Sequence, residues 1–387
     1  MSMFDYVVVG AGLSGVVMAE RIASQLKKRV LIIERREHVG GNTYDYYNED
    51  GILVSRYGPH VFHTKLKEIW DYLSQFTEWH HYQHKVLGHV DGNLVPIPFN
   101  LNSIKVLFPK PIAEKLSSKL VDFFGYGNKV HVLELKETKD EDLKFLADYV
   151  YDKVFLNFTH KQWGLRPEEL DVSITGRVPI YISYDDRYFK DEFQGVPKFG
   201  YARMIKNMLN HNNIKLMLNT DYREVLTVNH LTKQIKLFGQ PFEGKLIYTG
   251  KIDELFDFCF GELPYRGLEL KFETVNREFY QDAGTIHFPN EYEFTRVSEM
   301  KRITGQKSDV TTIIREFPKD CNRNDIPYYP IPQKENIEKF NQYKEKAKEY
   351  SDIILTGRLA DYKYYDMHAS ILIALDKFRS LLATNIN

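Results

Sequence analysis

The residues from Tyr6 to Asn42 constrain this chain more than any others. Val7-Val8-Val9 is a short β-branched run followed at once by Gly10-Ala11-Gly12-Leu13-Ser14-Gly15. An apolar stretch at helical spacing comes next (Val16, Val17, Ala19, Ile22, Ala23, Leu26), then Val30-Leu31-Ile32-Ile33, ending on Glu34. Strand, glycine turn, helix, strand and acid in that order predict a dinucleotide-binding βαβ unit. Gly10 permits the tight turn, Gly12 lets backbone approach a pyrophosphate, and Gly15 lets the helix pack close to the strand. The helix N-terminus offers free N–H groups and the positive end of its dipole to the anion. Glu34 stands where a ribose hydroxyl would be accepted. A glycine motif alone is a weak signal, but here strand, helix and acid spacing agree.

The next residues narrow the nucleotide. Glu34-Arg35-Arg36-Glu37-His38-Val39-Gly40-Gly41-Asn42 resembles the extended fingerprint of FAD proteins of the amine-oxidase and GDP-dissociation-inhibitor type. In that pattern an Arg after the acid precedes a Gly-Gly pair that passes beside the cofactor. The resemblance implies FAD rather than NAD. A second intact GxGxxG unit is missing, which argues against a two-dinucleotide reductase.

A chain of 387 residues can bury a large core and is expected to form two or more joined lobes. Its 52 Lys and Arg against 53 Asp and Glu give a net charge of −1, so there is no general electrostatic case for nucleic acid or an anionic membrane. Any anionic ligand must be met by local arginines. Cys259 and Cys321 have no metal-ligand or CxxC spacing and are read as reduced thiols. No stretch approaches the roughly 20 apolar residues of a membrane span. No cationic leader precedes a long apolar region either, and the reading is cytoplasmic.

Further along, Gly58-Pro59 before His60 and His63 predicts a loop, and that loop is expected to lie over the flavin rather than hold a metal. Thr64 is read as the cap of a short helix. Residues 79–99 read as a hairpin turning at Asp91-Gly92, with His80, His81, His84 and His89 as surface or cross-strand residues. From about 101 to 160 the pattern is helical, with Pro111 at one helix start and Asp140 capping another. Thr159-His160-Lys161-Gln162-Trp163-Gly164 reads as a polar, aromatic loop after it. Lys215 to Leu218 and Val225 to Leu237 are expected to be paired strands. Residues 333–350 read as a solvated helix, Ile353-Ile354-Leu355 as a last strand, and Met367 to Leu382 as a final helix.

Several separated stretches then resemble one family. Gly58-Pro59-His60-Val61-Phe62-His63-Thr64, Lys161-Gln162-Trp163-Gly164, Tyr184-Asp185-Asp186-Arg187-Tyr188-Phe189, Phe294-Thr295-Arg296, Tyr328-Tyr329-Pro330-Ile331 and Gly357-Arg358-Leu359-Ala360-Asp361-Tyr362-Lys363-Tyr364-Tyr365-Asp366-Met367 together resemble bacterial UDP-galactopyranose mutases, from residue 4 to about residue 376. That family interconverts UDP-galactopyranose and UDP-galactofuranose without net redox change. The resemblance implies reduced FAD, whose N5 acts as covalent nucleophile at the anomeric carbon.

A departing diphosphate needs its growing charge neutralised in a water-shielded site, and arginine's planar, permanently charged fork suits that work. The resemblance implies Arg177, on a mobile loop, and Arg296, on the opposite wall, as that pair. His60 and His63 are implied as catalytic residues at the flavin, with His60 on the substrate side. It implies substrate contacts at Phe155, Phe158, Thr159, Trp163, Tyr188, Arg266, Tyr329, Tyr364 and Asp366, with Glu316 at a further family position. The family usually carries Tyr where Phe158 stands, so stacking on uracil survives here while a hydroxyl contact is lost. Cofactor contacts are implied at Gly10, Gly12, Ser14, Gly15, Glu34, Arg35, Gly41, Asn42, His60, Gly357, Arg358, Asp366 and Met367.

The expected architecture is α/β: a Rossmann-like FAD-binding domain with an inserted helical domain and an antiparallel-sheet substrate domain. The first is assembled from 1–78, 198–265 and 350–387. The helical domain spans 100–165, and 79–99, 166–197 and 266–349 form the sheet lining the cleft. A homodimer, an external flavin reductant and a role in cell-surface polysaccharide supply are implied by the resemblance alone. Three other readings stay open: a mutase for UDP-N-acetylgalactosamine or for both sugars, a flavin oxidase of the amine-oxidase type, and a cofactor-free binding protein of the GDP-dissociation-inhibitor type.

Overall fold

The computed structural model describes residues 3–170 and 179–386. Its organising element is a five-stranded parallel sheet in the order Ile214–Met217, Val30–Ile33, Tyr6–Val9, Lys245–Tyr248, Ile353–Leu355. Tyr6–Val9 and Val30–Ile33 are buried at every position, as a parallel strand covered on both faces must be. On one face lie the helices Leu13–Gln25, Tyr201–Leu209 and Met367–Ile386, closing a core around Val16, Met18, Ile22, Met204 and Ile371. The other face packs Val7, Leu31, Leu246 and Tyr248 under Phe256 and Tyr343. The strand order reverses beside Tyr6–Val9, and the crevice at that switch point is where such sheets take ligands.

A seven-stranded sheet stands opposite, in the order Tyr329–Pro330, Tyr265–Val275, Thr311–Asp320, Arg296–Glu299, Thr285–His287, Val86–Val90, Asn93–Ile97. It is antiparallel except where Thr285–His287 runs parallel to Val86–Val90. A helical lobe packs on its edge. The helices Leu101–Leu107, Lys110–Phe124, Val132–Lys136 and Glu141–Val150 bury Leu116, Leu120, Leu135, Leu143 and Leu146. Asn100 and Asp140 start two of them, each accepting two backbone N–H groups.

Five local expectations change, the first being that His63 lies in the strand Phe62–Thr64 and not in a loop. Ile214–Met217 joins the parallel sheet beside Val30–Ile33, while Leu226–Val228 pairs with Ile235–Leu237. The hairpin spans only Val86–Val90 and Asn93–Ile97, and Trp79–His81 belongs to a separate sheet with Phe62–Thr64 and Phe193–Pro197. Thr64 ends a strand, and its hydroxyl accepts from Leu66 N at 3.0 Å just before the helix Lys67–Ser74. Lys161–Gly164 is no loop: the helix Asn157–Trp163 continues directly from a π-helical segment, Tyr151–Leu156, and Gly164 closes it in the left-handed conformation. Polar composition suggested a loop there, but tertiary partners satisfy the helix end. Arg266 donates through Nε to Gln162 O (3.1 Å) and through Nη2 to Lys161 O (3.2 Å).

Candidate active site

A cleft of about 930 Å³ begins at the C-terminal ends of the parallel strands and runs to the seven-stranded sheet and the helix Asn157–Trp163. Its two ends have different chemistry.

At the sheet end the glycine turn is packed as its sequence requires. A Cβ on Gly10, whose φ is +99°, would lie 2.2 Å from Thr249 Oγ1, and one on Gly15 would lie 2.1 Å from Gly10 O. The helix Leu13–Gln25 has no side-chain cap and no acid in its first turn, so its N-terminal donors face the cleft unneutralised. Glu34 braces the turn: Ala11 N donates to Oε2 (2.8 Å) and Arg36 N to Oε1 (2.9 Å), leaving one lone pair per oxygen for a ribose hydroxyl. Arg36, which the motif reading passed over in favour of Arg35, lines the cleft as well. It stacks 4.5 Å over Tyr57, donates to Asn42 Oδ1, and keeps a buried Nη1 without a hydrogen-bond partner among the described residues. Helix dipole, close glycine backbone and a buried guanidinium donor together fit a dinucleotide with an anionic diphosphate. Ser14, Gly12, Arg35, Gly41, Asn42, Gly357, Arg358 and Met367 also line the cleft.

At the far end, three neighbouring strands place His287, Arg296 and Glu316 side by side, His287 opposite Arg296 and Arg296 opposite Glu316. Cross-strand partners share a face, and all three line the cleft. Arg296 Nε lies 3.3 Å from Glu316 Oε2 as an ion pair without hydrogen-bond alignment, and Nη2 donates to Gln162 Oε1 at 3.3 Å. Burial works against the guanidinium's charge, but Glu316 and the tyrosines around it more than offset this, so Arg296 stays charged. Burial pushes Glu316 up, with Arg296 acting the other way. Phe158 stacks on His287 with centroids 4.8 Å apart, and Trp163, Tyr329 and Tyr364 form one aromatic group at 5.1–6.2 Å.

Three histidines around this end, His84, His60 and His287, are held neutral. His84 is pushed down to about 3 by burial, then by Arg296 and His63. His60 falls to about 4 through burial and the charge of Arg358, and His287 is also pushed well down by burial. Neutral imidazoles offer one donor and one acceptor without adding charge beside the arginines. His84 is therefore not a surface residue of a hairpin. It is 9% exposed and lines the cleft. Neither His84 nor His287 carried a sequence signal, because the strand Thr285–His287 meets the strand Val86–Val90, which follows His84, only in the folded sheet.

His60, His63, Phe155, Thr159, Tyr188 and Asp366 line the same cleft as the residues above. Arg266 does not. It is buried behind the helix Asn157–Trp163, bonded to that helix's carbonyls and paired with Asp320. Arg177 lies outside the described residues. The two thiols are unpaired, Cys259 exposed and Cys321 partly buried. A cluster the motif reading did not contain brings ligating atoms of His63, Asp366 and His368 within 4.8 Å of one another. Among the described residues no helix is long and apolar enough to cross a membrane.

A family model described as UDP-galactopyranose mutase matches residues 153–364, and one for a Rossmann-like NAD(P)-binding domain matches residues 8–76. The chain is 33% identical to a probable UDP-galactopyranose mutase of Klebsiella pneumoniae, over 99% of this chain and 97% of that one. It is 32% identical to a dTDP-fucopyranose mutase of Escherichia coli, over 97% of each. A crystal structure of reduced UDP-galactopyranose mutase superposes with a TM-score of 0.76, covering 99% of this chain and 96% of that one at 15% identity.

Proposed function

The chain belongs to the UDP-galactopyranose mutase family, and on that premise we propose that it interconverts UDP-galactopyranose and UDP-galactofuranose with FAD and without net redox change. The observation that carries the reading is the row His287, Arg296, Glu316 at the end of a cleft that starts at a dinucleotide cradle. A flavin oxidase of an amine has no use for a partly buried, carboxylate-paired arginine at its substrate end. A diphosphate leaving group requires one.

The glycine turn, the helix N-terminus, Glu34 and Arg36 would hold the cofactor. When bound and reduced, it would supply a nucleophilic nitrogen for the anomeric carbon. Arg296 meets the diphosphate, kept charged and aimed by Glu316 and Gln162. Tyr329 and Tyr364, packed edge to face at 5.1 Å, present hydroxyl donors beside it. Phe158 on His287 offers a flat face to the base. Trp163 seals the wall between base and sugar. Keeping the cofactor reduced takes an external reductant.

The test is incubation with UDP-galactofuranose, with and without dithionite, products being separated by anion-exchange chromatography. UDP-galactopyranose formed only under reduction supports the reading. A yellow protein that converts nothing when reduced overturns it. UDP-N-acetylgalactosamine and dTDP-fucopyranose belong in the same panel, the second because a dTDP-fucopyranose mutase matches this chain about as well as the UDP-galactopyranose enzyme does.

A further inference from the structure

His63 and Asp191 lie 128 residues apart and meet in the wall of the cleft, with His63 Nδ1 2.5 Å from Asp191 Oδ2. His63 sits in the strand Phe62–Thr64, opposite Gln194 of the strand Phe193–Pro197, and Asp191 stands just before that strand. Gln194 Nε2 donates to the carbonyls of Phe189 (3.1 Å) and Asp191 (2.8 Å), which fixes the segment that presents the carboxylate. The imidazole is stacked on Phe189, with centroids 3.6 Å apart and planes at 12°, and meets His368 edge-on at 5.3 Å. Its ionisable neighbours are Asp191, Asp366, His368 and His84.

An ionised carboxylate only accepts, so the proton between the two residues sits on Nδ1. The ring can then act on a ligand only through Nε2. This geometry has a use in the proposed reaction, on which the inference rests. In UDP-galactopyranose O5 is bonded to C1 and O4 carries a proton. In UDP-galactofuranose O4 is bonded to C1 and O5 carries the proton. Whatever else happens, the C1–O5 bond breaks, a C1–O4 bond forms, and one proton leaves O4 while one reaches O5. A group is needed that takes a proton from one sugar oxygen and returns one to the other.

We propose that His63 Nε2 is that group and that Asp191 is its positioning residue. The Asp191 carboxylate fixes the Nδ1–H tautomer, keeps a lone pair at Nε2, and stabilises the imidazolium while it carries the proton. Asp191 itself does not touch the sugar. Its effect is transmitted through the imidazole, as a buried acid acts behind a catalytic histidine in other folds.

The experiment compares the FAD-loaded wild type with Asp191→Asn, Asp191→Glu and His63→Gln. Long-range 15N–1H NMR reads the tautomer of His63, with His63→Gln supplying the assignment. Asp191→Asn is expected to keep its flavin, hold KM within about threefold, and lose about 100-fold in kcat. Its His63 should shift towards the Nε2–H tautomer, because an amide can donate to Nδ1. The pH profile of kcat should move with it, and Asp191→Glu should recover most of both.

Three results overturn the proposal: an unchanged tautomer and pH profile in Asp191→Asn, equal loss of flavin and fold in both Asp191 variants, or stoichiometric metal in the wild type that Asp191→Asn releases. The last would make His63, Asp366 and His368 a metal site. The NMR readout needs no turnover. A wild type that converts no UDP-sugar, yet shows the Nδ1–H tautomer and loses it in Asp191→Asn, would refute the mutase reading and leave the positioning role standing.

Discussion

Arg296 and Glu316 face each other across adjacent antiparallel strands, the guanidinium Nε 3.3 Å from the carboxylate Oε2, with Glu316 3% exposed. Both side chains line the cleft, and Gln162 Oε1 accepts from the guanidinium's Nη2 at 3.3 Å. Removing one partner of a buried pair leaves a charge without compensation. Glu316→Leu is expected to cost about 3 kcal/mol in urea unfolding. The Arg296→Met, Glu316→Leu double variant should be more stable than the sum of the singles by over about 1 kcal/mol. Arg296→Met should lower turnover about 100- to 1000-fold. Additive unfolding energies would show that the two side chains do not support one another.

Gly10 has both a positive φ of +99° and Thr249 Oγ1 where a Cβ would go, whereas Gly51, at φ +72°, has nothing within 4 Å of that position. Gly10→Ala should cost about 3 kcal/mol, combining backbone strain with a displaced Thr249, and should reduce FAD retained on purification at least about tenfold. Gly51→Ala should cost about 1 kcal/mol and leave the flavin content alone. Equal flavin content in the two variants would mean that the glycine turn does not shape the cofactor site.

Arg266 satisfies the last carbonyls of the helix that carries Phe158 and Trp163. Arg266→Ala should therefore destabilise the chain by about 2 kcal/mol and free the helix end. UDP affinity, measured by calorimetry, should weaken about tenfold through the misplaced Trp163. Arg266→Lys, without the planar fork, should recover only part of this. Wild-type affinity in Arg266→Ala would show that the helix end needs no support.

His84 is held down at about 3 by burial and by Arg296, against the ordinary value near 6.5. Between those values the unfolded chain binds a proton that the folded chain refuses, so this group weakens the fold as pH drops from 6.5 towards 3. His84→Asn removes that contribution. Its stability should fall less steeply than that of the wild type between pH 7 and pH 4, with a difference of up to about 3 kcal/mol at pH 4. Parallel stability curves from denaturant titrations across that range would refute it.

Local chemistry determined the part of this protein that short segments can encode. The β-branched run before Gly10, the helical spacing from Val16 to Leu26 and the acid at Glu34 prescribe one βαβ unit, because every decisive interaction falls within 30 residues. The same holds for the turn at Asp91-Gly92 and the cap at Asp140. The stretch Lys161-Gln162-Trp163 stands out in the sequence as a candidate site, but its helical form does not, since the helix end depends on Arg266 arriving from another strand. Register across distant strands was beyond any local pattern. It places His287, Arg296 and Glu316 in one row, buries His84 beside them, and sets Asp191 against His63. Sequence determined the βαβ unit that is proposed to hold the nucleotide. Tertiary structure decided what faces it, because cross-strand contacts depend on how strands order and shift against one another, and no single segment carries that information.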